Sequence, residues 1–334
     1  MKPPDLRPLD IGSRPTGQAC DVTAPFPTGA SSQMRDGAAE AVARWRRAVD
    51  AAASGPEDQS RMLRQLGESL LDAGDAVSAR DTCAEAVRLT PDLAAAWLCL
   101  ARVHELTGHV ASAAACYGRA TECDPLSAEA WNGLGVQFDR LGLHRDAGDC
   151  FARACELTPG SAPIWFNRGN ACAVLGDHEG AVDAYTRAIG LGPSDARIWY
   201  NLGCTRAALG DREGAIGAYR EALNLQPDDA ATWYNIANVL LDSDRSTGAI
   251  LCYQQAIVHS PFDVDCWNNL GTCWSRAGDL EEAIHCFSYA VTIGPEVPRA
   301  WTNLGNALSR LGALQRAVTC YKEAVRLERD RHPG

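Results

Sequence analysis

Tryptophan recurs along this chain at a fixed interval of 34 residues, at Trp97, Trp131, Trp165, Trp199, Trp233, Trp267 and Trp301. Proline keeps the same interval, 28 residues after the tryptophan place of each unit, at Pro91, Pro125, Pro159, Pro193, Pro227, Pro261 and Pro295. A period of this length predicts repeated supersecondary units, each of which buries its apolar face only against its neighbours.

Each unit has the pattern of two helices joined by a short break. Leu202 and Gly203 follow Trp199 by three and four residues, so all three share one face of a first helix, and Gly203 allows a neighbouring helix to approach closely. Leu-Gly-Asp at 209–211 breaks that helix, and Pro227 ends the unit. A second helix carries small and aromatic residues at spacings of four and three, namely Ala215, Tyr219 and Ala222.

The same pattern holds in the other units, whose second helices carry Tyr117, Phe151, Tyr185, Tyr253, Phe287 and Tyr321 at the place of Tyr219. It resembles the tetratricopeptide repeat, a 34-residue helix-turn-helix with Trp, Leu-Gly, Tyr, Ala, Phe, Ala and Pro at these offsets. The resemblance implies an all-α, right-handed superhelical solenoid of about eight repeats, with a groove lined mainly by the first helices.

The ends of the array are atypical. Leu63 takes the tryptophan place in a unit before Trp97, and Ala41, Trp45 and Ala48 reproduce the spacing of a second helix alone. We therefore expect a disordered Pro-rich leader over 1–36, a half repeat and loop over 37–59, eight units over 60–331 and a tail over 332–334.

An asparagine ladder marks the surface that faces away from this core. Five successive units carry an asparagine two residues after the tryptophan, at Asn167, Asn201, Asn235, Asn269 and Asn303. An amide offers both a donor and an acceptor, so such a column can hold an extended backbone without selecting its side chains. The ladder resembles that of the repeat region of O-linked N-acetylglucosamine transferase, where asparagines at this place hold peptide backbones. The alternative is that the amides satisfy neighbouring helices or face water.

Two further sets extend the predicted peptide site. Three units add an asparagine five residues after the tryptophan, at Asn170, Asn238 and Asn306. One residue after the tryptophan, three units carry an aromatic side chain that could anchor a ligand, at Phe166, Tyr200 and Tyr234. Packing between adjacent first helices is the alternative function of these rings.

A basic ligand site is the weaker interpretation. Asn238, Asn269 and Arg299 match part of the carboxylate clamp with which some of these repeats bind acidic chaperone tails, but Tyr234 stands where that resemblance requires a lysine. Arg276, Arg299 and Arg310 could favour an acidic segment, although a solvated basic face explains them equally simply.

The net charge and the lack of long apolar runs limit which classes of partner the chain is expected to bind. The net charge of -11 opposes binding to nucleic acid or to anionic lipid, and no apolar run is long enough for a signal peptide or a membrane span. We predict a cytoplasmic protein whose partner is another protein, with no nucleic acid and no membrane.

The 14 cysteines are predicted to be small packing residues. Five of them share one repeat place, namely Cys116, Cys150, Cys252, Cys286 and Cys320. Equivalent places in stacked helices lie about 8–10 Å apart, whereas a disulfide needs Cα atoms within about 7 Å of each other. The seven histidines share no place, and phosphate-binding, metalloprotease and nucleophile-elbow motifs are absent from the sequence. We therefore predict no metal, no cofactor and no enzymatic activity.

The predicted function is a protein-interaction scaffold that binds an extended peptide in the groove through the asparagine ladder. The alternative is a structural module that self-associates or assembles a complex through its open ends, with Leu311 and Leu314 at the C-terminal end.

Overall fold

The computed structural model describes residues 32–51, 55–192 and 195–331, in which every regular element is an α-helix. These residues form 17 helices: α1 (Ser32–Ala51), α2 (Pro56–Asp72), α3 (Ala76–Leu89), α4 (Ala94–Leu106), α5 (Val110–Cys123), α6 (Ala128–Arg140), α7 (His144–Leu157), α8 (Ala162–Val174), α9 (His178–Leu191), α10 (Ala196–Ala208), α11 (Arg212–Leu225), α12 (Ala230–Leu241), α13 (Ser246–His259), α14 (Val264–Ala277), α15 (Leu280–Ile293), α16 (Pro298–Arg310) and α17 (Leu314–Arg331).

Helices α2 to α17 stack as eight consecutive pairs, in each of which helix A is even-numbered and helix B is odd-numbered. Every helix packs on the next one along the chain, and helices A of adjacent pairs also pack on each other, for example α8 on α10 and α10 on α12. The helices B in the described residues do not approach one another as closely. Helices A therefore form the inner, concave row of an all-α solenoid, as predicted.

One hydrogen bond explains both 34-residue periods. The indole Nε1 of Trp165 donates to the carbonyl oxygen of Pro159 at 2.8 Å, just beyond the end of α7. The same bond, at 2.7 to 3.0 Å, joins five other tryptophans to the proline six residues earlier, at Trp97, Trp131, Trp233, Trp267 and Trp301. Pro193 lies outside the described residues. Each of these six tryptophans thus ties the start of its helix A to the preceding unit.

The repeated glycine of helix A makes room for the aromatic ring of helix B. A Cβ atom on Gly203 would lie 2.5 Å from Cδ1 of Tyr219, which is closer than atoms can pack. The predicted close approach at Gly203 is therefore confirmed, and the neighbour is helix B of the same pair.

A left-handed residue ends helix A. Gly210 has φ of +80°, which lets the chain reverse before α11. At the same place after α12 the chain carries Asp244, which adopts a φ of 55° although it is not a glycine.

Helix α1 extends into the predicted leader. It begins at Ser32, while residues 1–31 of that leader lie outside the described residues, and the predicted domain bounds stay a prediction. Ser32 to Asp36 contain no glycine or proline, so the helix extends through them at little cost. Val42, Trp45 and Val49 of α1 pack against the apolar cluster of the first pair. The tail at 332–334 also lies outside the described residues.

The prediction for the cysteines needs one correction. Cys83 of α3 and Cys99 of α4 form a disulfide, with their Cα atoms 5.9 Å apart. The estimate of 8–10 Å applies to equivalent repeat places, whereas these two places belong to a helix B and the next helix A, which face each other directly. Eleven other described cysteines are free thiols. Burial raises the pKa of Cys116 and of Cys150 to about 11, as expected of small packing residues.

Candidate peptide-binding groove

The asparagine ladder lies along the row of helices A, where each of its side chains is partly exposed. Its amides bond the preceding unit through Nδ2: Asn167 to Asn132 Oδ1 at 3.0 Å, Asn201 to Asn170 Oδ1 at 3.0 Å, Asn235 to the Tyr200 hydroxyl at 3.0 Å, and Asn269 to the Tyr234 hydroxyl at 3.1 Å. The amides of Asn303 and Asn268 lie 2.9 Å apart.

These bonds leave part of each amide unused. An amide has two N–H donors and an oxygen that accepts. Among the described residues, the Oδ1 atoms of four ladder residues accept no hydrogen bond, those of Asn167, Asn201, Asn235 and Asn269. The alternative in which the ladder satisfies neighbouring helices therefore holds for the donor side, and the acceptor side stays available to a ligand.

The second set of asparagines supports the tyrosines of helix B. Asn170, Asn238 and Asn306 each accept a hydrogen bond at Oδ1 from the tyrosine hydroxyl 15 residues later, at Tyr185, Tyr253 and Tyr321. Where helix B carries Phe151 or Phe287 instead, the place 15 residues earlier holds Val136 or Thr272. Asparagine and tyrosine stand at this spacing in three units, whereas the hydroxyls of Tyr219 and Tyr117 donate instead to Cys204 Sγ and Glu105 Oε2.

The three groove aromatics pack on helix B of their own units. The ring centroids of Phe166, Tyr200 and Tyr234 lie 6.1, 5.9 and 5.7 Å from those of Tyr185, Tyr219 and Tyr253. The predicted alternative was packing between adjacent helices A, whereas these ring contacts are made with helix B of the same unit, and each ring remains partly exposed. Burial raises the pKa of Tyr234, so its hydroxyl stays protonated as the acceptor for Asn269.

The arginines proposed for an acidic ligand are engaged within the array. Arg276 and Arg310 donate to the carbonyl oxygens of Leu241 and Ser275 at 3.2 Å, and each of these carbonyls lies near the end of the preceding helix A. Arg299 pairs with Asp265 at 2.8 Å. These contacts weaken the interpretation of this end as a basic ligand site.

The middle of the groove carries no charge at the inner places of its helices. Between α8 and α12, the places five and eight residues after the tryptophan hold only uncharged side chains, Asn170, Ala173, Cys204, Ala207, Asn238 and Leu241. A cavity of about 180 Å³ opens here between α8 and α10. The described part of the chain brings together no group of three or more His, Cys, Asp or Glu side chains that could hold a metal ion. No helix in it is long and apolar enough to cross a membrane.

Family models of helical repeats match most of the chain. Models described as tetratricopeptide repeats match residues 34–94 and 99–162 in one case and 169–210 in another. A model described as the C-terminal domain of cilia and flagella-associated protein 70 matches residues 192–331. No curated protein matches the chain.

Solved structures of repeat proteins share the fold. YrrB, described as a TPR protein with an unusual peptide-binding site, is 19% identical, with a TM-score of 0.51 over 56% of this chain and 96% of its own. A MamA double mutant of RS-1 is 23% identical, with a TM-score of 0.50, and the match covers 52% of this chain and 97% of that chain. A chain of the Cut9-Hcn1 hetero-tetramer of the APC/C is 19% identical, with a TM-score of 0.50, and the match covers 83% of this chain and 54% of that chain. These similarities concern the fold alone.

Proposed function

Since the chain belongs to the tetratricopeptide repeat family, we propose that it is a non-catalytic scaffold that binds an extended segment of a partner protein in the groove of helices A. The observation that carries this proposal is the set of unused amide oxygens at Asn167, Asn201, Asn235 and Asn269. A peptide backbone presents an N–H donor at every residue except proline, so a column of acceptors suits it whatever its side chains are.

The internal bonds of the ladder favour this use. Each Nδ2 that donates to the preceding unit fixes the orientation of its amide, so the acceptor is held in place before a ligand arrives. A side chain that is already ordered loses less conformational entropy on binding. Phe166, Tyr200 and Tyr234 add exposed aromatic edges beside the ladder, and aromatic side chains contribute much of the binding energy in protein interfaces.

The test is capture of peptides from a phage-displayed random library by the full chain and by Asn201→Ala/Asn235→Ala/Asn269→Ala. A control variant removes three exposed amides from helices B, namely Asn224→Ala/Gln254→Ala/Gln255→Ala. We expect wild type and control to enrich the same peptides and the groove variant to lose them. Equal enrichment by the groove variant would refute the ladder as the binding site.

Loss of stability must be separated from loss of binding. Each ladder substitution also removes a bond to the preceding unit, which costs about 1 kcal/mol. The same repeat place holds Cys99 and Gly133 in other units, so the fold accommodates residues without an amide there. Circular dichroism should therefore show wild-type helicity for the groove variant at the temperature of the capture experiment.

The second candidate is self-association through the last unit, and exposed apolar residues favour it. Leu311 and Leu314 are 50% and 63% exposed, and Val318 and Val325 of α17 are 44% and 64% exposed. A further repeat would cover such a face in a longer array. We expect Leu314→Glu/Val318→Glu to abolish concentration-dependent dimerisation in sedimentation equilibrium. A wild-type protein that stays monomeric at every concentration would refute this candidate.

The cytoplasmic location stays a prediction. Free packing cysteines favour a reducing compartment, whereas a Cys83–Cys99 disulfide is unusual there. Cell fractionation with thiol trapping tests both together: a cytoplasmic protein should carry Cys83 and Cys99 as free thiols after trapping.

A further inference from the structure

One part of the groove is shaped to do more than hold a backbone. The cavity of about 180 Å³ lies between α8 and α10, with Tyr185 of α9 among its lining residues. Its walls are formed by Asn170, Ala173, Val174, Asn201, Cys204 and Thr205. For comparison, a buried apolar cavity of about 150 Å³ accommodates a benzene molecule. The space is thus large enough for one sizeable side chain.

A small residue on α8 keeps this space open. Ala173 lies eight residues after Trp165, and the same place two units later holds Leu241, which is buried. Ala173 is small, so the volume that a leucine side chain would occupy remains open to the groove. Ala207 occupies this place in the unit between them and does not line the cavity.

The cavity also contains a polar pair with unused capacity. Asn170 is only 8% exposed, and its Oδ1 accepts from Tyr185 at 2.7 Å and from Asn201 at 3.0 Å. Its Nδ2 donates no hydrogen bond within the described residues, and the Oδ1 of Asn201 accepts none there. This nitrogen is reached by solvent from the groove, so a ligand carbonyl can accept its hydrogen bond. Together, the Nδ2 donors of Asn170 and the Oδ1 acceptor of Asn201 match the carbonyl and the N–H of one peptide unit.

The remaining lining excludes charge. None of the seven lining residues is Asp, Glu, Lys, Arg or His, and placing a charged side chain here would require its desolvation without a partner. We propose that the Ala173 cavity is a subsite that takes one apolar side chain of leucine to phenylalanine size from the bound segment, while Asn170 and Asn201 bond the adjacent backbone. This inference rests on the proposed function, because it assigns a sequence preference to the same groove.

The experiment uses the peptides enriched from the phage library by the full chain. Alignment should show one position restricted to Leu, Ile, Met or Phe within otherwise variable sequences. Replacing that residue by Ala in a synthetic peptide should weaken binding to wild type by about tenfold or more in fluorescence polarisation, as expected for loss of a buried side chain. Replacing it by Asp should weaken binding further.

Filling the cavity tests its location. Ala173→Leu introduces the residue that the array already carries at Leu241, and Ala207→Leu is the matched control one unit away. We expect Ala173→Leu to weaken the apolar peptide about tenfold and to leave the Ala-substituted peptide unaffected, and Ala207→Leu to preserve the apolar preference. Ala173→Met serves as a second filling variant if Ala173→Leu does not fold.

The outcomes separate the two proposals. The subsite is overturned if the peptides require the asparagine ladder but show no position restricted to apolar residues. It is also overturned if their preference for an apolar residue survives both Ala173→Leu and Ala173→Met. Either result would leave the peptide-binding function intact. If the library yields no peptide that depends on the ladder, the proposed function fails and the subsite fails with it.

Discussion

The bond between Tyr253 and Asn238 should behave as a strongly coupled pair. Tyr253 is completely buried, and its hydroxyl donates to Asn238 Oδ1. Asn238→Val would leave that hydroxyl in an apolar site without its acceptor, which costs about 1–3 kcal/mol. Asparagine and valine have similar helix propensities, so the loss would reflect the bond rather than the backbone.

The reverse change should be milder. Tyr253→Phe removes the donor, but Asn238 Oδ1 still accepts from Asn269 Nδ2 at 3.3 Å, so we expect a cost of about 0.5–1.5 kcal/mol. The double variant removes both polar groups and reproduces Val136 with Phe151, the combination that another unit carries. Its stability should lie close to that of wild type, because no buried polar group is left unpaired.

A double-mutant cycle measures this coupling by urea denaturation followed by circular dichroism. We expect a coupling free energy of at least about 1 kcal/mol in favour of the matched pairs. The four proteins must unfold with equal urea dependence, since long repeat arrays can lose two-state behaviour. If the two single-variant changes in the free energy of unfolding sum to within about 0.5 kcal/mol of the double-variant change, the view that the second asparagine set supports helix B is refuted.

Four further outcomes follow from the structure. Reduction of the Cys83–Cys99 disulfide, or Cys83→Ser, should lower the free energy of unfolding by about 3 kcal/mol because the bond closes a loop of about 15 residues; an unchanged urea midpoint with and without reductant would contradict this. Cys116 and Cys150, whose pKa burial raises to about 11, should resist iodoacetamide at pH 8 until the protein unfolds. Their raised pKa also means that stability falls as pH rises above about 8.5, since the unfolded thiols lose protons there first; stability that rises with pH over pH 8.5–11 would contradict it. Asp244→Gly should raise the melting temperature, because Asp244 holds φ of 55° where seven other units place glycine, and relief of that conformation is worth about 1 kcal/mol; a lower melting temperature would indicate a compensating contact of Asp244.

The repeated architecture follows from local pattern. Trp199, Leu202 and Gly203 share a helical face because residues three and four apart are neighbours on any α-helix. The break at 209–211 and the stop at Pro227 rest on backbone rules that act within a few residues. A 34-residue period therefore predicts helix pairs that stack, without knowledge of any distance between units.

Partner choice among polar side chains depends instead on distances across units. The bond from Asn201 to Asn170 joins residues of neighbouring helices A, and the bond from Asn170 to Tyr185 reaches into helix B. The sequence placed asparagines on the groove, but only packing determined that one side of each amide is used internally while its oxygen stays available. The Cys83–Cys99 disulfide and the Ala173 cavity arise in the same way, because each depends on how closely two helices approach, and that distance is a property of the packed array rather than of either helix.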